Sequence, residues 1–308
     1  MDPDPPYLIQ LNERLAEPLA DWPTERIDRF AAFIRSRQTE SGGFAGRAGG
    51  AALYYTAFAV RSLSVLGRLD PGIGAAVAGF GRALRPANLI DIVSCLAVAR
   101  MLGCDWGPEP AEMAAGIESF RGADGGYGKV PGASSSSTYH TFLAALSYDL
   151  LGRRQPGLKA VGEFVLSRLR DDGGFAEIGP IRGGSVNPTA AGAAMVMALA
   201  LDAGAGLDED AIPAILDGVV GFLLSTQRDD GGWPASPRTP ASDLLSTLTA
   251  LLTLSDLESL ADADTAKAGA FVGACEVQAD RFGGYPGDEE GDVEYTFYGL
   301  GASAILGL

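Results

Sequence analysis

Residues 282–307 begin with Phe282-Gly283-Gly284-Tyr285-Pro286-Gly287-Asp288 and end in an apolar segment from Asp292 to Gly307. The order is a Gly-Gly-aromatic turn, a short polar loop and an apolar segment long enough for a buried helix. Paired glycines indicate a chain reversal in which one residue takes a positive φ. This stretch therefore predicts a turn between two helices.

The same pattern recurs along the chain. It occurs at Gly42-Gly43-Phe44, Gly125-Gly126-Tyr127, Gly173-Gly174-Phe175, Gly231-Gly232-Trp233 and Gly283-Gly284-Tyr285. The first interval is too long for one unit, and a degenerate copy fills it, with Leu84-Arg85-Pro86-Ala87-Asn88 before an apolar run to Gly103. The sequence thus contains six units of roughly 50 residues, a period typical of repeat architectures.

Two kinds of helical segment alternate in these units. The segment before the turn is amphipathic, as in residues 212–227, whereas the segment after it, as in residues 189–201, is apolar on nearly all sides. A helix without a polar face is expected to be buried on every side. We therefore predict an all-α fold, an α/α toroid of about six helix pairs, with the apolar helices inside. The apolar carboxyl terminus favours closure, because an open solenoid needs polar caps.

The composition and the ends of the chain limit its class. The net charge of −16 disfavours nucleic acid and anionic lipid as partners, and it suits a basic protein partner. The longest apolar run, residues 190–201, is shorter than the about 20 residues of a membrane span. The three cysteines are odd in number and lie in apolar runs, which predicts reduced thiols and a cytoplasmic protein. We predict one toroid domain over residues 24–308 after an N-terminal extension, residues 1–23.

Several motifs resemble the prenyltransferase and squalene-cyclase repeat superfamily. Gly42-Gly43-Phe44-Ala45-Gly46-Arg47 followed by Tyr54-Tyr55-Thr56 resembles a repeat of protein prenyltransferase β-subunits, as does the stretch from Gly283. The spacing Phe222-x4-Gln227-x3-Gly231-x-Trp233 resembles the glutamine–tryptophan motif of triterpene cyclases. The resemblance covers roughly residues 24–308 and implies the toroid fold, whereas one fold hosts several reactions.

Two centres known from that superfamily are altered in this chain. The resemblance places Asp243 at the Asp of the β-subunit zinc site, but Leu245 and Tyr295 stand where the Cys and His belong. Zinc needs three or four good donors, so we expect no zinc. The Asp-x-Asp-Asp-Thr-Ala proton-donor motif of class II cyclases corresponds to residues 185–190, where Asn187 replaces the central acid. An amide is not the strong acid that protonates an alkene.

The inner-helix amino termini of a toroid converge at one mouth. Aligning the units predicts a polar ring there, formed by Tyr55, Asp91, His140 and Tyr295, with Ser246 matched by motif. The fourth unit contributes small residues that leave room, namely Ala190, Ala191 and Gly192. Behind the ring we predict an apolar bore of Phe58, Phe142, Met195, Met197, Phe297 and Tyr298. Such a bore with a few polar groups is the usual form of a ligand pocket.

The side-chain chemistry and predicted position of each residue near the mouth suggest its role. The reacting set is His140, Asp243, Asp292, Tyr295 and Glu294. Diphosphate is assigned to helix amino termini and to the loop arginines Arg47, Arg182 and Arg238. Further substrate contacts are Tyr55, Asp91, Trp233 and Phe297. Asp288 and Asp292 are candidates for Mg²⁺, which prefers oxygen ligands.

Each candidate also has a structural interpretation. His140, the single histidine, is the first candidate for proton transfer at neutral pH, but it also suits inner-ring packing. The tyrosines suit packing with a hydrogen-bonded hydroxyl. Asp243 and Asp292 suit helix N-caps, and the acidic loop 288–294 suits solvation.

Two functional hypotheses remain open. The first is an isoprenoid-handling enzyme of the prenyltransferase or terpene-cyclase type, with a rebuilt site and an isoprenoid diphosphate or other apolar small molecule as ligand. The second is a non-catalytic scaffold or apolar-ligand module that docks a partner protein. A homodimer is compatible with either.

Overall fold

The computed structural model describes residues 4–104 and 109–308. In these ranges the chain forms α-helices, two short helical turns of 3-10 type and one two-stranded antiparallel hairpin. The α-helices are α1 Tyr7–Leu19, α2 Thr24–Ser36, α3 Leu53–Val65, α4 Pro71–Arg82, α5 Leu89–Leu102, α6 Pro110–Glu118, α7 Thr138–Leu150, α8 Leu158–Leu166, α9 Val186–Ala200, α10 Ile212–Thr226, α11 Leu244–Asp256, α12 Thr265–Ala274 and α13 Val293–Leu306. The 3-10 turns are Ala203–Ala205 and Leu260–Asp262, and the strands are β1 Glu276–Val277 and β2 Arg281–Phe282.

Six helices form a closed inner ring. Helices α3, α5, α7, α9, α11 and α13 each pack against the next, and α13 packs against α3. These helices have apolar residues on all sides; in α13, for example, ten residues are buried. They therefore bury a face toward each neighbour as well as toward the outer layer. The predicted closed toroid is confirmed.

The other six helices of the repeats form the outer layer. Helices α2, α4, α6, α8, α10 and α12 pack on the inner helices beside them. Their burial is one-sided; α10 buries Val219, Phe222, Leu223 and Thr226. No helix in the two described ranges has the length and hydropathy needed to cross a membrane.

Helix α1 lies within the predicted N-terminal extension, of which residues 1–3 fall outside the described residues. It packs against α3, α5, α7 and α13 and buries Leu8, Leu11, Leu15 and Leu19. Its polar contacts are with the carboxyl halves of inner helices, where Arg14 pairs with Asp256 at 2.6 Å. Helix α1 thus closes the end of the barrel opposite the turns.

Glycine is required at four of the turns. Gly42, Gly125, Gly173 and Gly231 have φ between 83° and 90°. A Cβ at Gly231 would lie 2.1 Å from the carbonyl oxygen of Lys267, in the outer helix of the next unit. A larger residue there would therefore meet both a strained backbone and a clash.

The last unit uses a different turn from the one that its glycines predict. Its chain reversal is the β1–β2 hairpin, with Gln278 and Ala279 at positive φ, and Phe282 rather than Tyr285 takes the place of the turn aromatic. The Phe282 N–H donates to Thr296 Oγ1 at 3.2 Å, as the Trp233 N–H donates to Thr247 Oγ1 at 3.0 Å. Tyr285 is exposed. The predicted register of this copy is therefore wrong.

Candidate functional site

A cavity of about 680 Å³ occupies the centre of the toroid. All six inner helices form its wall, and Tyr7, Leu8 and Leu11 of α1 form its floor. Most of the wall is apolar, and polar groups lie at the mouth and at the floor. Its size is that of pockets for small organic ligands.

One helical position sets which side chains surround the mouth. The second residue of five inner helices lines the cavity: Tyr54, Ile90, Tyr139, Asn187 and Leu245. In the sixth inner helix the second residue is Glu294, whose carboxylate contacts Tyr54 and Tyr298 of the wall. The polar residues that line the mouth at this position are therefore Tyr54, Tyr139 and Asn187, and Glu294 lies behind Tyr54 and Tyr298.

This placement corrects the predicted ring by one residue. Tyr55, Asp91, His140 and Tyr295 are the third residues of their helices, and none of them lines the cavity. One residue turns a helix by about 100°, so the third side chain points away from the bore. The four side chains lie beside the site but do not face it.

Three residues of the predicted ring, Asp91, His140 and Tyr295, have partners close to the start of their own helices. Asp91 accepts hydrogen bonds from its N-cap Asn88 and from the Ala87 N–H, so it serves the start of α5. His140 Nδ1 lies 2.7 Å from Ser137 Oγ, and burial, with a smaller effect from Lys129, lowers the pKa of His140. The Arg47 guanidinium lies 5.5 Å from the centre of the Tyr295 ring.

Glu294 joins the two ends of the inner ring. Its Oε1 accepts hydrogen bonds from the Tyr54 hydroxyl at 2.6 Å and from the Tyr298 hydroxyl at 3.0 Å. Burial raises the pKa of Glu294, and the two phenol hydrogen bonds only partly offset this. Burial also raises the pKa of both tyrosines, so their hydroxyls stay protonated at neutral pH. The cluster can hold or pass a proton at the wall of an apolar cavity.

A second polar chain leads from Asp243 to the cavity. Asp243 is the N-cap of α11, where it accepts the Ser246 N–H and the Ser246 hydroxyl, both at 2.8 Å. Asn187 Nδ2 donates to Ser246 Oγ at 3.3 Å, and Asn187 Oδ1 accepts the Thr249 hydroxyl at 2.8 Å. Burial raises the pKa of Asp243 despite its hydrogen bonds. Asn187 and Thr249 line the cavity, so this acid reaches it only through other side chains.

Arg47 neutralises the two aspartates proposed for Mg²⁺. Its Nε donates to Asp292 Oδ2 at 2.7 Å, and its Nη1 donates to Asp288 Oδ1 at 3.0 Å. Asp292 is also the N-cap of α13, where it accepts the Tyr295 N–H. Among the described residues, no group of three or more His, Cys, Asp and Glu side chains is arranged to hold a metal ion. A magnesium ion at Asp288 and Asp292 would have to displace the guanidinium, and it stays a prediction.

The remaining predicted contacts divide into wall, core and surface. Phe297 lines the cavity and stacks under the Arg61 guanidinium at 4.1 Å. Trp233 does not line it; it is fully buried, and its indole donates to the Leu223 carbonyl at 2.8 Å. Arg182 and Arg238 are exposed on the loops before α9 and α11. Neither arginine lines the cavity in this structure.

The predicted bore is mostly confirmed. Phe58, Phe142, Met197 and Tyr298 line the cavity, whereas Met195 is packed in the core. In the fourth unit Ala190 and Ala191 line the cavity. Gly192 instead makes room for the Phe175 ring, since a Cβ there would lie 2.5 Å from it.

Several cavity residues were missed from the sequence. Glu177 lines the mouth, and burial raises its pKa. Arg61 and Tyr7 lie at the closed end. A signal existed for the register: Thr56, Thr141, Thr189, Thr247 and Thr296 each accept the N–H of a turn aromatic. When the units are aligned by these threonines, Tyr54, Tyr139 and Glu294 occupy the same position, two residues before the threonine of their helix.

Comparisons with known proteins agree with this geometry. The family model described as the prenyltransferase alpha-alpha toroid domain matches residues 14–201 and 142–308. A search of curated proteins finds no matching sequence.

Solved structures with this fold include proteins from two kinds of enzyme. The protein geranylgeranyltransferase-I of Candida albicans, complexed with GGPP, is 14% identical, with a TM-score of 0.66 over 91% of this chain and 90% of that chain. The type II terpene cyclase MstE from Scytonema, complexed with geranylgeranyl dihydroxybenzoate, is 12% identical, with a TM-score of 0.61 over 95% of this chain and 98% of that chain. At such identities the likeness establishes the fold alone. Together with the family match, it shows that this chain belongs to the prenyltransferase α/α toroid family.

Proposed function

We propose that this protein binds an isoprenoid in the toroid cavity and acts on it as an enzyme of the terpene-cyclase type, with Glu294 as its acid–base group. The observation that carries the proposal is the contact of Glu294 with Tyr54 and Tyr298 on the wall of a largely apolar cavity of about 680 Å³. The structural neighbours add support, because two were solved with geranylgeranyl-bearing molecules.

The groups at the cavity wall suit proton transfer. Glu294 lies behind two phenols whose hydroxyls donate to its carboxylate, so a phenol can remove a proton from a carbocation on one side while it passes its own proton to the carboxylate on the other. In the reverse direction the same relay returns a proton from the Glu294 carboxyl to an alkene. The net reaction is an isomerisation, since one proton is gained and one is lost. General acid–base groups contribute about 10²- to 10⁴-fold to such steps.

Prenyl transfer fits these side chains less well. Arg47 is held by two aspartates, and Arg182 and Arg238 lie away from the cavity. Inner-helix amino termini still point toward the mouth, and such termini attract anions. Transfer from a diphosphate with Mg²⁺ is therefore included as an arm of the test.

A non-catalytic carrier is the second candidate. The observation that favours it is that Asp243 and Asp292 serve as N-caps and that Arg47 neutralises Asp288 and Asp292. In that case the cavity would hold an apolar ligand without changing it, and a partner protein would collect it.

The test incubates the purified protein with geranylgeranyl diphosphate or geranylgeraniol, with and without Mg²⁺. A cyclic product that retains its oxygen head group supports the cyclase. Diphosphate release that requires Mg²⁺ supports prenyl transfer, and tight binding without turnover supports the carrier. Absence of binding overturns all three.

Two variants assign the chemistry. Glu294→Gln removes the acid and keeps the shape, and Glu112→Gln, on the exposed face of outer helix α6, is the matched control. The proposal expects turnover to fall with the first change and to persist with the second.

A further inference from the structure

The closed end of the cavity holds an arginine that has no counter-ion among the described residues. Arg61 belongs to α3, lines the cavity and lies over Phe297 with its Cζ 4.1 Å from the ring centre. Its Nη2 is fully enclosed and has no hydrogen-bond partner among the described residues. No carboxylate in the described ranges forms a salt bridge with it. An enclosed charge without an acceptor is unfavourable.

Helix α1 holds this guanidinium in place. Arg61 Nε donates to Asn12 Oδ1 at 3.0 Å, and Asn12 Nδ2 donates to the Arg61 carbonyl at 3.2 Å. Asn12 is buried, so this pair is shielded from water. The guanidinium is thus held between Asn12 and Phe297, and among the described residues its Nη2 is left without an acceptor.

The other charged residue at this end is already paired. Asp256 lines the cavity, and its Oδ1 lies 2.6 Å from Arg14 Nη1. Burial lowers the pKa of Arg61 to about 10, so the group still carries its charge at neutral pH. Arg61 is therefore a cation at the closed end of the cavity that forms no ion pair with any described residue.

We propose that Arg61 anchors the carboxylate of an apolar carboxylic acid whose chain fills the cavity toward the mouth. A guanidinium binds a carboxylate through two parallel N–H donors, which gives direction as well as affinity. The proposal rests on the proposed role of the cavity in binding isoprenoids and narrows the ligand to an acid. It also gives the ligand a direction, with its reactive alkene end at Glu294.

The experiment compares three probes by calorimetric titration: farnesoic acid, farnesol and palmitic acid. The wild-type protein is expected to bind farnesoic acid about 10- to 100-fold more tightly than farnesol, the range expected for a charge-assisted hydrogen bond. Arg61→Met should abolish this preference, so that farnesoic acid binds no more tightly than farnesol. Arg61→Lys should keep part of the preference, because it keeps the charge and loses the planar donor pair. Arg100→Met, at the carboxyl end of the neighbouring α5, is the matched control.

Stability separates ligand binding from a structural role. If Arg61 binds an anion, farnesoic acid should raise the melting temperature of the wild type more than that of Arg61→Met, whatever the stability of the ligand-free variant, which also loses the Arg61–Asn12 hydrogen bond. If Arg61 only supports α1, the variant should melt lower and the acid-over-alcohol preference should not change, which would overturn the proposal.

The probes also separate this proposal from the broader one. Equal wild-type affinity for farnesoic acid and farnesol overturns the role of Arg61 and leaves isoprenoid binding intact. Arg61-dependent binding of palmitic acid without binding of either isoprenoid keeps the anchor and overturns the isoprenoid ligand. Failure of all three probes to bind overturns both.

Discussion

Tyr54 donates a hydrogen bond of 2.6 Å to Glu294, and the two residues belong to the first and last helices of the inner ring. Arg47 and Asp292 are joined across the same seam at 2.7 Å. The polar groups that can do chemistry thus meet where the chain closes on itself. The contacts between Tyr54 and Glu294 and between Arg47 and Asp292 therefore form only when the toroid closes.

The seam ion pair predicts an acid-sensitive stability. Arg47→Met should lower the free energy of unfolding by about 1–3 kcal/mol at pH 7, because it leaves two buried aspartates unpaired while Arg47 itself is one-third exposed. Burial alone would raise the pKa of Asp288, but the Arg47 hydrogen bonds outweigh it and lower the pKa. The contribution is then complete above the unfolded pKa of about 3.9 and is lost as the pH falls through the lower folded value.

Urea unfolding of the wild type and the variant across this pH range measures the effect. Arg154→Met is the control, since it breaks a solvent-exposed pair with Asp202 that is expected to contribute little to stability. A difference between Arg47→Met and the wild type that grows toward low pH would contradict the prediction.

Glu294 predicts the opposite pH dependence. Its folded pKa is raised, so ionisation destabilises the folded state as the pH rises through that value. Glu294→Gln cannot ionise, and its stability relative to the wild type should therefore increase with rising pH and level off above the folded pKa. Thermal melting between about pH 4 and pH 8 tests this around the unfolded value of about 4.3. A relative stability that is independent of pH would show that the pKa of Glu294 is the same in both states.

The turn glycines predict a contrast between two alanine variants. Gly231→Ala combines a φ of 89° with a Cβ only 2.1 Å from the Lys267 carbonyl oxygen. Gly287→Ala has a similar φ of 94° but no atom within 4 Å of the new Cβ. We expect Gly287→Ala to cost about 1 kcal/mol from backbone strain and Gly231→Ala clearly more. Equal costs in denaturant titrations would show that the clash is relieved by movement of α12.

Filling the cavity should block the ligand without unfolding the protein. Ala190→Phe places a ring in the cavity, whereas Ala198→Phe places the same ring on an exposed position of the same helix. The first variant should lose at least tenfold in farnesol affinity, equivalent to about 1.4 kcal/mol, and the second should bind like the wild type. Unchanged binding by Ala190→Phe would place the ligand elsewhere.

The repeat pattern was sufficient to predict the toroid but not the register of each helix. The alternation of amphipathic and apolar segments predicts which helices are outer and which are inner, because a helix without a polar face must be buried on all sides. Which side chain of an inner helix faces the cavity depends on where that helix begins. A shift of one residue in the start of α3 exchanges Tyr54 for Tyr55. The last unit shows the same limit, since two residues at positive φ, Gln278 and Ala279, make the turn that the glycines predict.

Long-range partners were beyond prediction for a different reason. Arg47 was assigned to diphosphate as a loop cation, but folding brings it to Asp288 and Asp292, more than two hundred residues away. Arg61 gave no signal, because it looks like one polar residue on an apolar helix until α1 closes the cavity behind it. Which charges are neutralised depends on closure of the ring.

Deuterium incorporation tests the central claim most directly. The protein is incubated with farnesoic acid or geranylgeraniol in D2O, and products of the wild type, Glu294→Gln and the Glu112→Gln control are analysed by mass spectrometry. We expect a cyclic product with one solvent deuterium from the wild type and the control. For Glu294→Gln we expect the rate of product formation to fall by at least about 10²-fold. A product without deuterium, or equal rates for wild type and Glu294→Gln, would contradict the proposed role of Glu294.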